Sequence, residues 1–304
     1  MSTQIAVADA QALAPSRPRR SSQNLLNQAR RRPLGVVALS LIVILILVAA
    51  LADIIAPHDP FRIYVGKTLT APGSVAPTGV PFVLGTDESG RDIVSRLIHG
   101  ARVSLWVGVL AVLVGTVGGT IVGVVSGFRR GKTDLVIQRI MDSQQAIPSL
   151  VLALLLMAVL GPSLTNVIIA IGIVQIPYTN RVVRSAVLSV NQETYIEAAR
   201  VVGCTDIGIM WRHVLPNVMA PVIIIATSGL GGAILTEAYL SFLGLGAPPP
   251  TPSWGGMVST ARQYMLTDPH LILAPAIVLS ITVLAWNLAG DALRDILDPR
   301  LRRR

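Results

Sequence analysis

The sequence predicts an all-α polytopic membrane protein with six transmembrane helices. Three observations predict it. Of 304 residues, 52% are hydrophobic and only 13% charged, about half the roughly 25% charged share of soluble domains. The apolar residues fall in long uncharged runs, each near the ~20 residues a helix needs to cross a hydrocarbon core of about 30 Å. The basic residues cluster at the ends of those runs rather than within them. A mean hydropathy of +0.64 excludes an ordinary cytosolic enzyme and a disordered chain. The net charge of +9 would point to nucleic acid in a soluble protein. Aromatic residues make up only 4% and the arginines flank apolar runs, so orientation in a membrane explains the charge. Lipid is the expected surrounding, and no nucleic-acid partner is expected.

Residues 1–33 read as a cytoplasmic basic segment, and 34–55 as the first transmembrane helix. The polar leader is too long, and the apolar run too extended, for a cleavable signal peptide. Residues 56–102 form an extracytoplasmic loop, rich in Pro and Gly up to Gly85. Its end, Asp92 to Arg102, reads as an amphipathic helix leading into the second span. Residues 103–290 hold the remaining five helices. The second span, Val103 to Phe128, carries Gly115, Gly119 and Gly123. That spacing either lets a neighbouring helix approach closely or is glycine merely tolerated in a membrane helix. Ser143 to Asn180 has no formal charge and is too long for one crossing. Gly161-Pro162 is a turn signal and divides it into spans at about 138–160 and 164–186. The fifth span runs from Val218 to about Gly246, and the sixth from Leu271 to Gly290. Residues 291–304 are a basic cytoplasmic tail.

Six spans put both termini on one side, and charge selects which. Arginines before Leu34, the basic residues of 129–139, Arg181, Arg184, Arg200 and Arg212, and the arginines of the tail all share one face. Only Arg62, Lys67, Arg91, Arg96, Arg102 and Arg262 of the 25 basic residues lie on the other. The termini are therefore expected in the cytoplasm.

The segment 187–217 lies between spans four and five on the cytoplasmic side. Asn191 is a candidate N-cap, with Glu193 in the first turn where the helix dipole favours a carboxylate. Gly203 stands where a C′ glycine ends a helix. Thr205 caps a second helix running to Val214, which Pro216 is expected to stop. The product is a helix, a glycine turn and a helix. Glu197-Ala198-Ala199, three residues, Gly203, nine residues and then His213-Val214-Leu215-Pro216 resembles the EAA loop of bacterial ABC importer permeases, with His213 in place of the first apolar residue of the loop's end. Leu84 to Asp92 with Ser95-Arg96-Leu97, Glu237 to Gly246 with Pro249 to Gly255, and Leu288 to Asp291 with Leu293 to Arg302 are similar to signatures of the C-subunit permeases of dipeptide and oligopeptide uptake, the peptide/nickel branch.

The resemblance covers about 84–302. It implies a type I ABC importer permease fold in a bacterial plasma membrane. It also implies a homologous second permease subunit, two cytoplasmic ATPase subunits and an extracytoplasmic substrate-binding protein as partners. Coupling to the ATPase then falls to Glu197, Ala198, Ala199, Gly203, Leu215 and Pro216. The cargo would be di- or oligopeptides, with glutathione and nickel chelates handled by related systems.

Glu237 stands alone in its apolar run. It either contacts a substrate amine or gate along the translocation path, or is a structural glutamate with local partners; the second is favoured, because a carboxylate at membrane depth is costly without partners. Asp142, Gln144 and Gln145 fit the cytoplasmic interface, and Asn180 and Asn287 fit helix bridging. Pro148, Pro177 and Pro275 free backbone carbonyls in spans three, four and six. Gly131-Lys132-Thr133 and Gly66-Lys67-Thr68 lack the earlier glycine of a phosphate-binding loop. The single Cys204 and four scattered histidines offer no metal-ligand spacing, and no catalytic set or cofactor is expected. The rival readings are an ion-coupled secondary transporter or channel subunit, which would want paired intramembrane charges, and a membrane-embedded enzyme, which would need a nucleophile and base or a metal motif.

Overall fold

The computed structural model describes residues 33–297. The basic segment 1–32 and the arginine-rich end of the tail lie outside the described residues. Five helical stretches are long and apolar enough to cross a membrane. They are α1 (Pro33–Ala50), α3 (Ile93–Arg129), α6 (Leu164–Val190), the stretch Asp206–Phe242, and α11 (His270–Leu297). Helices α4 (Gly131–Gln145) and α5 (Ser149–Leu160) reach that length and apolarity only together, bent by 89° at the break between them, which brings the candidate crossings to six when the pair counts as one.

Two expected spans are corrected. The first does not run unbroken to residue 55. The helix breaks at Leu51, and a short α2 (Ala52–Ile55) follows. Arg102 caps that break: its Nε donates to the Ala49 carbonyl at 3.0 Å and one Nη to that of Ala50 at 3.4 Å, carbonyls that a helix end leaves without partners. The same guanidinium reaches Asp53, whose carboxyl is held below its ordinary range by hydrogen bonds from Arg102 and then His99. The third span, expected as one helix over 138–160, is two. Pro148 has no N–H and disfavours helical backbone at the residue before it, so the chain turns there. Gly161 ends α5 with φ +81°, and Ser163 caps α6 by accepting from the Asn166 amide.

The most extensive helix contact among the described residues is between α3 and α6, and glycine makes it close. A Cβ on Gly115 would stand 2.9 Å from the Gly172 carbonyl oxygen; on Gly123, 2.9 Å from that of Asn180; on Gly127, 3.0 Å from that of Arg184. Gly119 meets Thr179 and Ile176 in the same way. The small-residue spacing is thus a close helix contact, extended one step beyond the sequence reading to Gly127.

The outer loop is a folded unit. Strands β1 (Ser74–Val75) and β2 (Pro81–Phe82) pair antiparallel, with Ser74 opposite Phe82. His58, Tyr64 and Phe82 pack ring to ring, at 4.8 Å between His58 and Phe82 and 5.1 Å between Tyr64 and Phe82. Asp92, where the sequence reading started this helix, caps α3 by accepting from the Ser95 amide at 2.8 Å. Arg96, buried, binds the carbonyls of Pro60 and Pro250 and lies 3.3 Å from Asp87. The indole of Trp254, at the start of α10 (Trp254–Ala261), donates to the Leu97 carbonyl at 3.0 Å.

Substitution tests the seam. Gly119→Ala is expected to destabilise the solubilised protein by about 1–3 kcal/mol, the usual cost of overpacking. Gly232→Ala, where a Cβ meets nothing within 4 Å, is expected to be neutral or stabilising by up to about 1 kcal/mol, the helix preference of Ala over Gly. Thermal unfolding of the two variants in detergent checks the contrast.

Candidate functional site: the 194–214 hairpin

The hairpin consists of α7 (Thr194–Val201), α8 (Asp206–Ile209) and a π-helical turn, Met210–Val214, that runs without a break into α9 (Leu215–Phe242). Val202 ends α7 and Gly203 follows with φ +85°. The Gly203 amide donates to the Arg200 carbonyl and the Cys204 amide to that of Ala199, both at 3.0 Å. That is the paired-bond cap a left-handed glycine permits. A side chain at Gly203 would meet no atom within 4 Å, so the requirement is conformational and not steric. Thr205 caps α8 through the Gly208 amide at 3.2 Å.

Two local expectations are corrected. Asn191 does not cap α7; it ends α6, and its side chain reaches back to the Gly127 carbonyl at 3.1 Å. Glu193 takes the N-cap place, without a side-chain bond. Pro216 does not stop a helix. It follows directly on the π turn, whose bonds reach five residues back, as from the Leu215 amide to the Met210 carbonyl, and that turn absorbs the amide that Pro216 lacks.

Three buried apolar residues, Ile196, Ile209 and Val214, anchor the hairpin. They join Val124 and Phe128 of α3, Val183 and Val187 of α6, and Val218 and Val222 of α9 in one cluster. Ala199 and Leu215 pack against that cluster half-buried. Arg200 lies over the Phe128 ring at 5.4 Å. Glu197, Ala198, Gly203 and Pro216 are exposed. The six residues singled out in the sequence therefore share one hairpin, two at its base and four toward water. Four further residues were missed: Val201 is 84% exposed, Val202 82%, Ile207 63% and Trp211 68%. Their signal in the sequence was apolar content in a segment otherwise read as solvated.

Glu237 sits elsewhere, fully buried near the outer end of α9. It accepts from Ser241 Oγ at 2.7 Å and from Ser104 Oγ of α3 at 3.1 Å. Asn180 bridges helices through Gln138 at 3.3 Å. Among the described residues no cluster of three or more metal-ligating side chains occurs.

Residues 119–303 match the family described as the binding-protein-dependent transport system inner membrane component. The chain belongs to that family. Residues 22–72 further match the N-terminal transmembrane domain of oligopeptide transport permease C. A di/tripeptide transport system permease of Pseudomonas aeruginosa is 43% identical over 269 residues, 88% of this chain and 89% of its own. A glutathione transport system permease of Pectobacterium atrosepticum is 40% identical over 272 residues, 90% of this chain and 89% of its own. Among solved structures, an inward-facing form of the MetNI methionine ABC transporter aligns with a TM-score of 0.53 at 21% identity, covering 67% of this chain and 96% of that one; this likeness establishes the permease fold. The chain is thus a multi-pass permease subunit of a binding-protein-dependent importer, a family of non-catalytic subunits that works with ATPase and substrate-binding components.

The cap makes a prediction specific to backbone conformation. Gly203→Val forces a β-branched residue to φ +85°, at about 1–2 kcal/mol, and is expected to speed hydrogen exchange at the Cys204 amide about tenfold. Gly203→Asn, which tolerates that conformation, is expected to stay within a few-fold of the parent. Hydrogen–deuterium exchange with peptide resolution compares the two.

Proposed function

We propose that this chain forms half of the pathway of an ATP-driven importer of di- or oligopeptides, paired with a homologous second permease and driven through its cytoplasmic hairpin by two ATPase subunits. The observation that carries the coupling is the exposed apolar surface of Val201, Val202, Ile207 and Trp211 on a hairpin whose base is rooted in three spanning helices. Apolar side chains held in water beside rigid anchors fit a protein interface. Similarity to permeases of peptide and glutathione systems over most of the chain supports the choice of cargo. The excess of basic residues on the hairpin's side supports cytoplasmic termini in the bacterial inner membrane, in contact with lipid along its outer faces.

In this reading Glu197, Ala198, Ala199, Gly203, Leu215 and Pro216 have distinct tasks. Ala198 presents a helix surface small enough for a cleft, and Glu197 offers it a charge. The Gly203 cap fixes the angle between α7 and α8. Ala199 and Leu215 seat the hairpin on its base, and Pro216 lets the second arm continue directly into α9. Closure of the ATPase dimer on ATP would displace the hairpin. The shared cluster would carry that displacement into α3, α6 and α9, opening the bundle toward the binding protein, and hydrolysis would reset it. Glu237 then acts as a fastener between α3 and α9 beside the path rather than as a contact with cargo.

Two outcomes are expected. Trp211→Asp with Val202→Asp should cut the ATPase subunits that co-purify with the chain at least about tenfold, the scale expected for charge placed in an apolar interface, with the amount of permease in the membrane unchanged. Retained ATPase would contradict the docking surface. Glu237→Gln should keep cargo preference among dialanine, trialanine and longer peptides in a competition uptake assay, while thermal stability falls; a changed preference would return Glu237 to the pathway.

A further inference from the structure

Helix α4 is attached to the rest of the chain differently from every other long helix described. None of its 15 residues is buried, and none joins an apolar cluster. A polar stripe holds it to α6. Arg184 binds Asp134 with two parallel bonds, Nε at 2.7 Å and Nη2 at 2.6 Å. Asn180 donates to Gln138 at 3.3 Å, and Arg181 to Asp142 at 3.4 Å. Gln144 Nε2 donates to the Ile173 carbonyl at 2.7 Å. That carbonyl is free because the residue four positions on is Pro177, which has no N–H to offer it. On α3, Ser126 bonds to Asp134 and accepts from Gln138.

Both ends of α4 are built to turn. At the start, Arg130 has φ +52° and Gly131 φ +59°, and a Cβ on Gly131 would touch nothing. At the other end the chain bends by 89° before Ser149. Between them lies a straight rod of about 22 Å at the helical rise per residue. Its uncovered face carries Arg139 and Ser143 together with Leu135, Val136 and Ile140, all exposed. A face that mixes apolar side chains with a charge fits the boundary of the membrane, the apolar part against acyl chains and Arg139 toward water. The seam between α3 and α6 could part only by exposing backbone. The rod can part from α6 by exchanging hydrogen bonds for water, since the side chains of Arg184 and Asp134 are already 30% and 15% exposed.

We propose that α4 is a hinged rod that leaves α6 and returns to it in each transport cycle, and that Asp134 and Arg184 are positioning residues forming the clasp that holds the returned state. The proposal rests on the ATP-driven permease reading. Substrate does not touch the clasp; the clasp sets when the rod is free to move.

Cross-linking tests it in the assembled transporter in proteoliposomes. Cys204, the single cysteine, is replaced by Ser, and Asp142→Cys with Arg181→Cys places two thiols across the rod while Asp134 and Arg184 stay intact. A short, reducible bis-methanethiosulfonate then ties α4 to α6. Uptake of radiolabelled dialanine is expected to fall at least about tenfold in the tied state and to recover on reduction, as a blocked conformational step requires. Equal uptake in the tied and released states would overturn the hinged rod. In parallel, Asp134→Asn is expected to raise the ATP consumed per dialanine imported at least about threefold, and Asp134→Arg with Arg184→Asp to bring the ratio back toward the parent. A ratio unmoved by Asp134→Asn in a complex that retains its ATPase would show a static staple and overturn the clasp. Absence of ATPase subunits from the parent complex would instead sink the reading on which the clasp rests.

Discussion

The rest of the structure depends on the contact between α3 and α6, where four glycines let two backbones meet. In a bilayer, apolar side chains gain little by leaving lipid for a neighbouring helix, so association rests on close packing and on polar bonds. Gly115, Gly119, Gly123 and Gly127 bring α3 within van der Waals reach of α6 carbonyls and of Thr179, Val183 and Val187. No larger residue fits at those places without separating the pair. The two helices therefore behave as one body, and the other parts of the permease are arranged by how they attach to it.

Three kinds of attachment can be distinguished. The cytoplasmic hairpin is attached by apolar burial, through Ile196, Ile209 and Val214 against both members of the pair and α9. Apolar burial of this kind resists shear, which suits a part that must pass on a push. Near its N-terminus, α3 is fastened to the chain around it by buried and part-buried polar bonds: Glu237 to Ser104, Arg96 to Pro250, Trp254 to Leu97. The sequence signatures at Leu84–Arg96 and Glu237–Gly255, some 150 positions apart, meet there in one assembly. Helix α4 is held by polar bonds and no apolar cluster, its Arg184–Asp134 pair part-exposed and its partners Asn180 and Ser126 buried.

Much of this was legible in the sequence. Uncharged runs and flanking arginines gave the crossings, because the thickness of a bilayer constrains length directly. The glycine spacing, the helix starting at Asp92, the Gly161-Pro162 turn and the Gly203 cap were readable because each depends on residues within one helical turn. What escaped depends on distant partners. Asn191 carries the residue type of an N-cap, and only the nearness of the Gly127 carbonyl shows it closing α6. Pro216 reads as a stop in isolation, but directly after a π turn, within a helix already under way, it is tolerated. Pro148 was seen to interrupt a span, yet nothing local fixed a bend of 89°. Gln144 looked like an interfacial residue; its role follows from Pro177 on another helix. The exposed Val201, Val202, Ile207 and Trp211 could not be told from buried ones by composition, since a hairpin with one anchored face has apolar residues on both sides.

The central claim is that the hairpin and the α3–α6 pair move together when the ATPase subunits act. Spin labels at Ile207 on the hairpin and at Ile121 on the exposed face of α3 report it directly by pulsed electron spin resonance in the assembled transporter. Between the nucleotide-free and ATP-trapped states the account predicts that this distance changes by less than about 2 Å, within the range of side-chain adjustment in a rigid body. A change of more than about 5 Å, one helical turn of sliding, would mean that the hairpin moves independently of the helices it is rooted in, and would contradict the account.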